Sequence, residues 1–255
     1  MLKSGLVSIS FRNLKPNEII NIVRTAGLEA IEWGGDIHVP PGNKMIAEEI
    51  RANCTLSGIK CPSFGSYYKV GEYEDPKSEF SKVLVSALGL GSEVIRVWAG
   101  VRATANADKD YWELIINELM MICDMAENEG LSIGLEFHGN TLTDNATDTL
   151  KLLAKTNREN LFTYWQPPVG RKHEDNLHDI RILKNHIKNV HTFTWDGRER
   201  LFLVEGYDRW VQYFRLIKTW NPRYCMLEFV KDNSIDSFYR DAKILKEMLK
   251  KVNNE

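Results

Sequence analysis

The chain has 255 residues, 43% of them hydrophobic and 27% charged, with 17 glycines and 8 prolines. That is an ordinary soluble composition, and it excludes intrinsic disorder, a collagen-like repeat and a disulfide scaffold. Lys and Arg number 33 against 35 Asp and Glu, a formal charge of −2, so no basic footprint draws the chain to nucleic acid or to an acidic membrane.

In chain order, the first β-rich run is Leu6–Ser10, and helical periodicity follows over 17–27. The second run, Ala30–Gly34, precedes a helix over 43–58, and the third, Cys61–Tyr67, a helix over 76–89. Val94–Ala99 leads to a long periodic stretch at 108–130, and Ser132–His138 to one at 145–157. Leu161–Gln166 is followed by 174–185, Ile187–Phe193 by 207–219, and Tyr224–Val230 by 234–251. Eight strand–helix units at about 32 residues each match the length of a βα unit and of a complete eightfold barrel. The predicted fold is therefore α/β, a (β/α)8 TIM barrel forming a single domain over 1–255.

Local chemistry supports these helices. Asn17, Asp110 or its neighbours, Asp144 and Asn233 are suitable N-caps, and Gly58 and Gly130 fall just past helix ends. The last helix carries Phe238, Ala242, Leu245 and Leu249 on one stripe with Lys243, Lys246 and Lys250 largely opposite, the pattern of a solvated outer helix. Met1 to Phe11 holds no secretory h-region, and no apolar run approaches about 20 residues, so a cytoplasmic protein with no membrane partner is expected. Cys54, Cys61, Cys123 and Cys225 form no C-x-x-C and read as buried free thiols.

A doubly wound open sheet also alternates strands and helices, but its phosphate signature is missing. Gly89-Leu90-Gly91 follows a helix and precedes a strand, the reverse of the order that lays a pyrophosphate on a helix N-terminus.

In an eightfold barrel the active site is built at the C-terminal ends of the strands. Four consecutive predicted strands carry a polar residue there: Glu136, Gln166, His191 and Glu228. Taken singly, each has a plainer reading, in which the glutamates pair with a barrel cation such as Arg96 and His191 is a hydrogen-bonded core histidine. Two like carboxylates at one barrel mouth need positive compensation, and at matching ends of four successive strands a divalent cation is the simplest source. Two carboxylates, an imidazole and an amide carbonyl suit Mn, Mg, Co or Zn without choosing among them.

The fragments Ile31-Glu-Trp-Gly-Gly-Asp-Ile-His38, Ile95-Arg-Val-Trp-Ala-Gly100, Leu135-Glu-Phe-His-Gly-Asn-Thr141, Tyr164-Trp-Gln-Pro-Pro168, His191 and Leu227-Glu-Phe229 resemble the xylose isomerase-like TIM-barrel superfamily, specifically its sugar phosphate isomerase/epimerase members. The likeness spans essentially the whole chain. It implies a divalent metal held by Glu, Asp, His and Glu from the fifth to eighth strands, with the two glutamates exchanging protons with a sugar carbon. The ligands would be Glu136, His191 and Glu228, with Gln166 standing where many members carry Asp and Val169 where they carry His. The loss of one negative charge weakens the metal site. The implied activity is sugar or sugar phosphate isomerisation or epimerisation through an enediolate, with Glu136 and Glu228 as paired acid and base and a small-molecule carbohydrate as substrate.

Substrate contacts are expected from Glu32 and His38 around the end of the second strand, Arg96 and Trp98 on one face of the fourth, His138 beside Glu136, and Arg198 after the seventh. Arg96 pairing with Glu32, and Trp98, Trp33, Tyr67 and Tyr68 acting as packing, are the plainer alternatives. A dehydratase acting on a keto-inositol or sugar acid shares the same proton abstraction. AP endonucleases of the superfamily use a His-rich three-metal cluster, for which Val169 and Asp196-Gly197-Arg198 offer no ligands. A sugar binder with a decayed metal site is the non-catalytic reading, and whether subunits pair as a homodimer is left open.

Overall fold

Five of the eight helices begin where a side chain satisfies an orphan amide. Asn43, Asp75, Asp108, Asn145 and Ser234 each accept a hydrogen bond from the backbone N–H three residues on. The computed structural model describes residues 1–255. In chain order the elements are β1 (Leu2–Val7), α1 (Pro16–Ala26), β2 (Ala30–Gly34), α2 (Lys44–Leu56), β3 (Ser63–Lys69), α3 (Pro76–Leu90), β4 (Val94–Trp98) and α4 (Lys109–Glu127). They continue as β5 (Ser132–Leu135), α5 (Ala146–Thr156), β6 (Leu161–Trp165), α6 (His173–Leu183), β7 (Ile187–Thr192), β8 (Thr194–Asp196), β9 (Glu199–Leu201), α7 (Tyr207–Ile217), β10 (Arg223–Leu227) and α8 (Ile235–Asn253).

Eight parallel strands close in the order β1-β10-β7-β6-β5-β4-β3-β2, and β8 and β9 form a separate antiparallel hairpin after β7. The expected TIM barrel is therefore the observed one. The first strand is shifted from its predicted span: Ser8–Phe11 turns into a 3-10 helix, while Lys3 and Ser4, polar in the sequence, belong to the strand because Glu29 binds both. Two expected caps are displaced by one residue, with Asn145 capping instead of Asp144 and Ser234 instead of Asn233. Asn17 lies inside α1, which starts with Pro16.

The main core lies between the barrel and its helices. Inside the barrel the space is filled by large inward side chains opposite glycines. A Cβ on Gly134 would stand 2.6 Å from the Tyr164 ring, and one on Gly65 2.6 Å from Arg96 Nη2, so any larger residue would displace the layer that supports the site. All four cysteines are buried free thiols, and no helix is long and apolar enough to cross a membrane.

Asp241 on α8 is buried and its Oδ1 accepts from Leu203 N at 2.9 Å. Burial raises its carboxyl to about 6, against about 3.9 in an unfolded chain. Below the unfolded value both states hold the proton. Between pH 4 and 6 the unfolded chain ionises first, so the fold loses about 3 kcal/mol there and does not regain it at higher pH. Asp241→Asn keeps the acceptor and removes that loss; its melting temperature should exceed the parent's at pH 7.5 and match it near pH 3.5.

Candidate active site

The four polar strand-end residues converge because their strands are neighbours in register around one side of the barrel. Glu136 directly follows β5, and its N–H donates to Val97 O at 3.0 Å, so the sheet geometry continues one residue past the strand. Gln166 directly follows β6 and is cut off from further pairing by Pro167-Pro168, which lack the N–H a strand needs. His191 lies within β7 opposite Met226 of β10, and Glu228 follows β10 with its N–H on Thr192 O at 3.2 Å.

One ligand atom each from Glu136, His191 and Glu228 lie within 4.8 Å of one another, and all three residues are buried. His191 Nε2 faces Glu32 Oε1 at 3.1 Å, while Nδ1 faces Gln166 Oε1 at 3.0 Å and Glu228 Oε2 at 3.4 Å. Burial pushes Glu32 up, but Arg96 and His191 outweigh it and hold the carboxyl at about 2, so it accepts the Nε2 proton. Nδ1 then points at two oxygens, neither of which can donate to it in this orientation of the Gln166 amide. Glu228 Oε2 is buried with no hydrogen-bond partner at all. A cation among these atoms, either a proton or a metal ion, is what would satisfy them. Burial opposes charging His191, but Glu228 and Glu32 raise it to about 9, the same demand for positive charge. The donor chemistry thus fits a divalent metal on Glu136, His191, Glu228 and the Gln166 carbonyl, with Glu32 orienting the imidazole from behind.

The two glutamates are not alike. Glu136 Oε2 accepts from Trp98 Nε1 at 2.5 Å and from Arg96 Nη1, whereas Glu228 has no guanidinium or indole donor and its Oε2 faces only His191 Nδ1, at 3.4 Å. Arg96 also donates Nε to Glu32 at 2.8 Å, and Glu32 accepts from Ser63 Oγ and from Tyr164 OH. The result is a buried polar layer directly beneath the cluster.

Above it opens a cavity of about 410 Å³ whose floor includes Glu136, Gln166 and Glu228. Its walls are largely aromatic: Tyr67, Trp98, Phe137, Phe193, Trp195 and Phe229. His138 lines it too, stacked on Trp98 at 4.7 Å with an interplanar angle of 17°, and with Nδ1 held by Gly139 O at 2.7 Å. A neighbouring cavity of about 150 Å³ between the loops after β6 and β7 contains none of the four strand-end residues.

Of the expected substrate contacts, Trp98 and His138 line the main cavity, but Glu32, His38, Arg96 and Arg198 do not. Glu32 and Arg96 are sealed in the polar layer, His38 is buried against Ser8 Oγ at 2.9 Å and Leu14 O at 3.3 Å, and Arg198 is exposed near the tip of the β8–β9 hairpin. Three lining residues that sequence reasoning did not single out for substrate, Tyr67, Asn140 and Phe229, have φ of 59°, 61° and 52°. Left-handed backbone at non-glycine residues is costly and clusters at functional sites, yet nothing in the side chains announces it.

A family model described as xylose isomerase-like TIM barrel matches residues 20–252. The chain belongs to this family. Among curated proteins, a 3-dehydroshikimate dehydratase from Bacillus anthracis is 25% identical over 204 residues, covering 74% of this xylose isomerase-like chain and 72% of that protein. Among solved structures, the probable 3-DHS dehydratase involved in petrobactin synthesis from Bacillus anthracis superposes with a TM-score of 0.79 at 21% identity, covering 96% of this chain and 99% of that one. A D-psicose 3-epimerase determined in the presence of D-fructose gives 0.67 at 16% identity, covering 99% and 96%. Both structural likenesses are to the same barrel.

The neutral Gln166 sets an expectation for metal affinity. Gln166→Glu keeps the side-chain length and puts a carboxylate where the Gln166 oxygen lies, 3.0 Å from His191 Nδ1, and charge count is a main determinant of cation affinity, so Mn²⁺ binding should tighten at least about tenfold. Titration calorimetry on the metal-stripped protein measures this directly.

Proposed function

We propose that the protein is a metal-dependent dehydratase that takes a proton from the carbon beside a ketone in a small hydroxylated ring compound and releases a neighbouring hydroxyl as water. The observation that carries this reading is the inequality of the two carboxylates. Epimerisation at a carbon needs one base on each face, but Glu136 Oε2 is already engaged by a guanidinium and an indole. Glu228 has neither of these donors, its Oε2 facing only His191 Nδ1 at 3.4 Å, and it is the carboxylate we assign as the base. One base suits elimination.

A divalent metal on Glu136, Gln166, His191 and Glu228 would polarise the substrate carbonyl and acidify the adjacent C–H. Glu228 takes that proton. Trp98 and Arg96 hold Glu136 in place, Glu32 holds the imidazole, and the aromatic walls pack a flat ring and keep bulk water out. The dehydratase name of the Bacillus anthracis relative supports the same direction. A second reading, 3-epimerisation of a ketose, is favoured by the presence of both Glu136 and Glu228 at the cavity floor.

The test is a panel of cyclic hydroxyketones, including 3-dehydroshikimate, beside ketoses and ketose phosphates, with added Mn²⁺, Co²⁺ or Mg²⁺. The expected result is metal-dependent loss of water from a cyclic substrate, followed by absorbance of the conjugated product. Inversion of a ketose carbon without loss of water would replace this reading with the second. No turnover, together with ligand binding indifferent to chelator, would replace both with a binding protein.

A further inference from the structure

Hydroxide is a poor leaving group, so an elimination of water needs an acid as well as a base. Glu228 serves as the base, and Glu136 is already held by two donors. Among the other groups lining the cavity, Tyr67 is built in a way that packing alone does not require.

The register of β3 against β4 shifts between Gly65 and Tyr68: Gly65 lies opposite Arg96, and Tyr68 opposite the very next residue, Val97. Ser66 and Tyr67 are therefore extra residues in β3, and Ser66 pins the irregularity by donating Oγ to Arg96 O at 2.7 Å and accepting from Tyr68 N at 3.2 Å. Tyr67 takes φ of 59° there, a conformation that opposes its side chain. Bulges of this kind re-aim a side chain beside an active site, and this one brings the ring into the cavity wall.

The ring lies between two guanidiniums, with Arg12 at 5.8 Å and Arg96 at 5.3 Å from its centroid. The phenol oxygen accepts from Arg12 Nη2 at 3.0 Å, and Arg12 is itself anchored by Asp36. That bond uses a lone pair of the phenol, and no protein group accepts the phenol's own proton. The hydroxyl is thus free to donate, and a phenolate left behind would sit against two positive charges.

We propose that Tyr67 is the catalytic acid that protonates the departing hydroxyl; this rests on the dehydratase reading. In the first step, the substrate C–H bond breaks and its proton goes to Glu228. The electron pair is first held as the substrate's enolate, and in a second step it forms the new C=C bond as the C–O bond breaks. The oxygen leaves with its bonding pair and takes the Tyr67 proton, so water departs. The enzyme then holds a protonated Glu228 and a phenolate at Tyr67, and proton transfer through solvent between them restores the starting state. Burial, set against the lowering pull of Arg96 and Arg12, keeps the phenol above its ordinary pKa, so the proton is in place at neutral pH.

The test separates the two proton transfers. Using the metal-loaded full chain and a cyclic β-hydroxy ketone, water loss is followed by product absorbance and C–H exchange by NMR in deuterated water. Tyr67→Phe keeps the ring and removes the hydroxyl. It should slow water loss about 10²- to 10⁴-fold, while substrate C–H exchange stays within a few-fold of the parent. Arg12→Gln, at a partly exposed position, should show the same selective pattern more weakly, and guards against a packing defect in the first variant. Water loss by Tyr67→Phe within a few-fold of the parent overturns the assignment, as does an equal fall in both rates. A parent protein that dehydrates no cyclic β-hydroxy ketone overturns the dehydratase reading instead, whatever Tyr67 does.

Discussion

Glu228→Gln abolishes turnover, by about 10³-fold or more, in a protein that remains folded. The glutamine has the size and shape of the native side chain and can still present an oxygen to a metal, but its amide cannot take up a proton. Glu228 is buried and has an oxygen with no hydrogen-bond partner, an arrangement that stability alone would not select. Removing its charge takes one partner from His191, which still has Glu32 at 3.1 Å. The melting temperature should therefore move by only a few degrees, and bound Mn²⁺ should weaken without vanishing. The decisive measurement is kcat at saturating metal, beside a thermal melt of the same sample. A rate equal to the parent's, with the fold intact, would mean that the proton is taken elsewhere.

The residues behind that prediction were readable from the sequence, because a Glu, Gln or His inside an otherwise buried run stands out against the apolar pattern. The helices were readable for a similar reason: each has an amphipathic stripe and most have a capping side chain, so the predicted and observed spans agree to within three residues. Strand ends were less clear. The apolar pattern runs on through Phe137 and Phe229, although the strands end at Leu135 and Leu227 with one further sheet hydrogen bond each from Glu136 and Glu228, because residues folding over a barrel mouth are also apolar and at least partly buried. The hairpin of β8 and β9 turns on the two residues Gly197-Arg198, with Gly197 at φ 53°, yet its strands are only three residues long, too short for an alternating pattern to emerge. What no pattern contains is the placement of Glu32 and Arg96. Both sit on buried strands as expected, but whether they face the cavity or lie beneath it depends on the stagger of neighbouring strands around the closed barrel. The bulge at Ser66-Tyr67 is a still more local decision, made by hydrogen bonds that a linear reading does not show.

Arg96→Leu should destabilise the fold by about 3–5 kcal/mol, the cost of breaking a buried ion pair by removing one partner. Arg96 is 1% exposed and bonded to Glu32, 0% exposed, and Glu136, 4% exposed. Without it two carboxylates face each other across a dry layer, with His191 left as their neighbouring cation. Charging that imidazole, protonating one of the carboxylates or opening the barrel are the ways out, and each spends folding energy. In a chain of this size the loss corresponds to a melting temperature lower by about 6–20 °C. A double variant, Arg96→Leu with Glu32→Gln, should recover part of it, because the second change removes a charge that the first has orphaned; the two effects would then fall short of their sum. Denaturant unfolding of the parent, both single variants and the double variant measures this coupling. If Arg96→Leu unfolds within about 1 kcal/mol of the parent, water reaches the layer and the pairs are worth what exposed pairs are worth. If the large loss is found, Arg96 serves two ends at once. It neutralises the interior so that the barrel can close, and it fixes the orientation of Glu136 at the floor of the cavity.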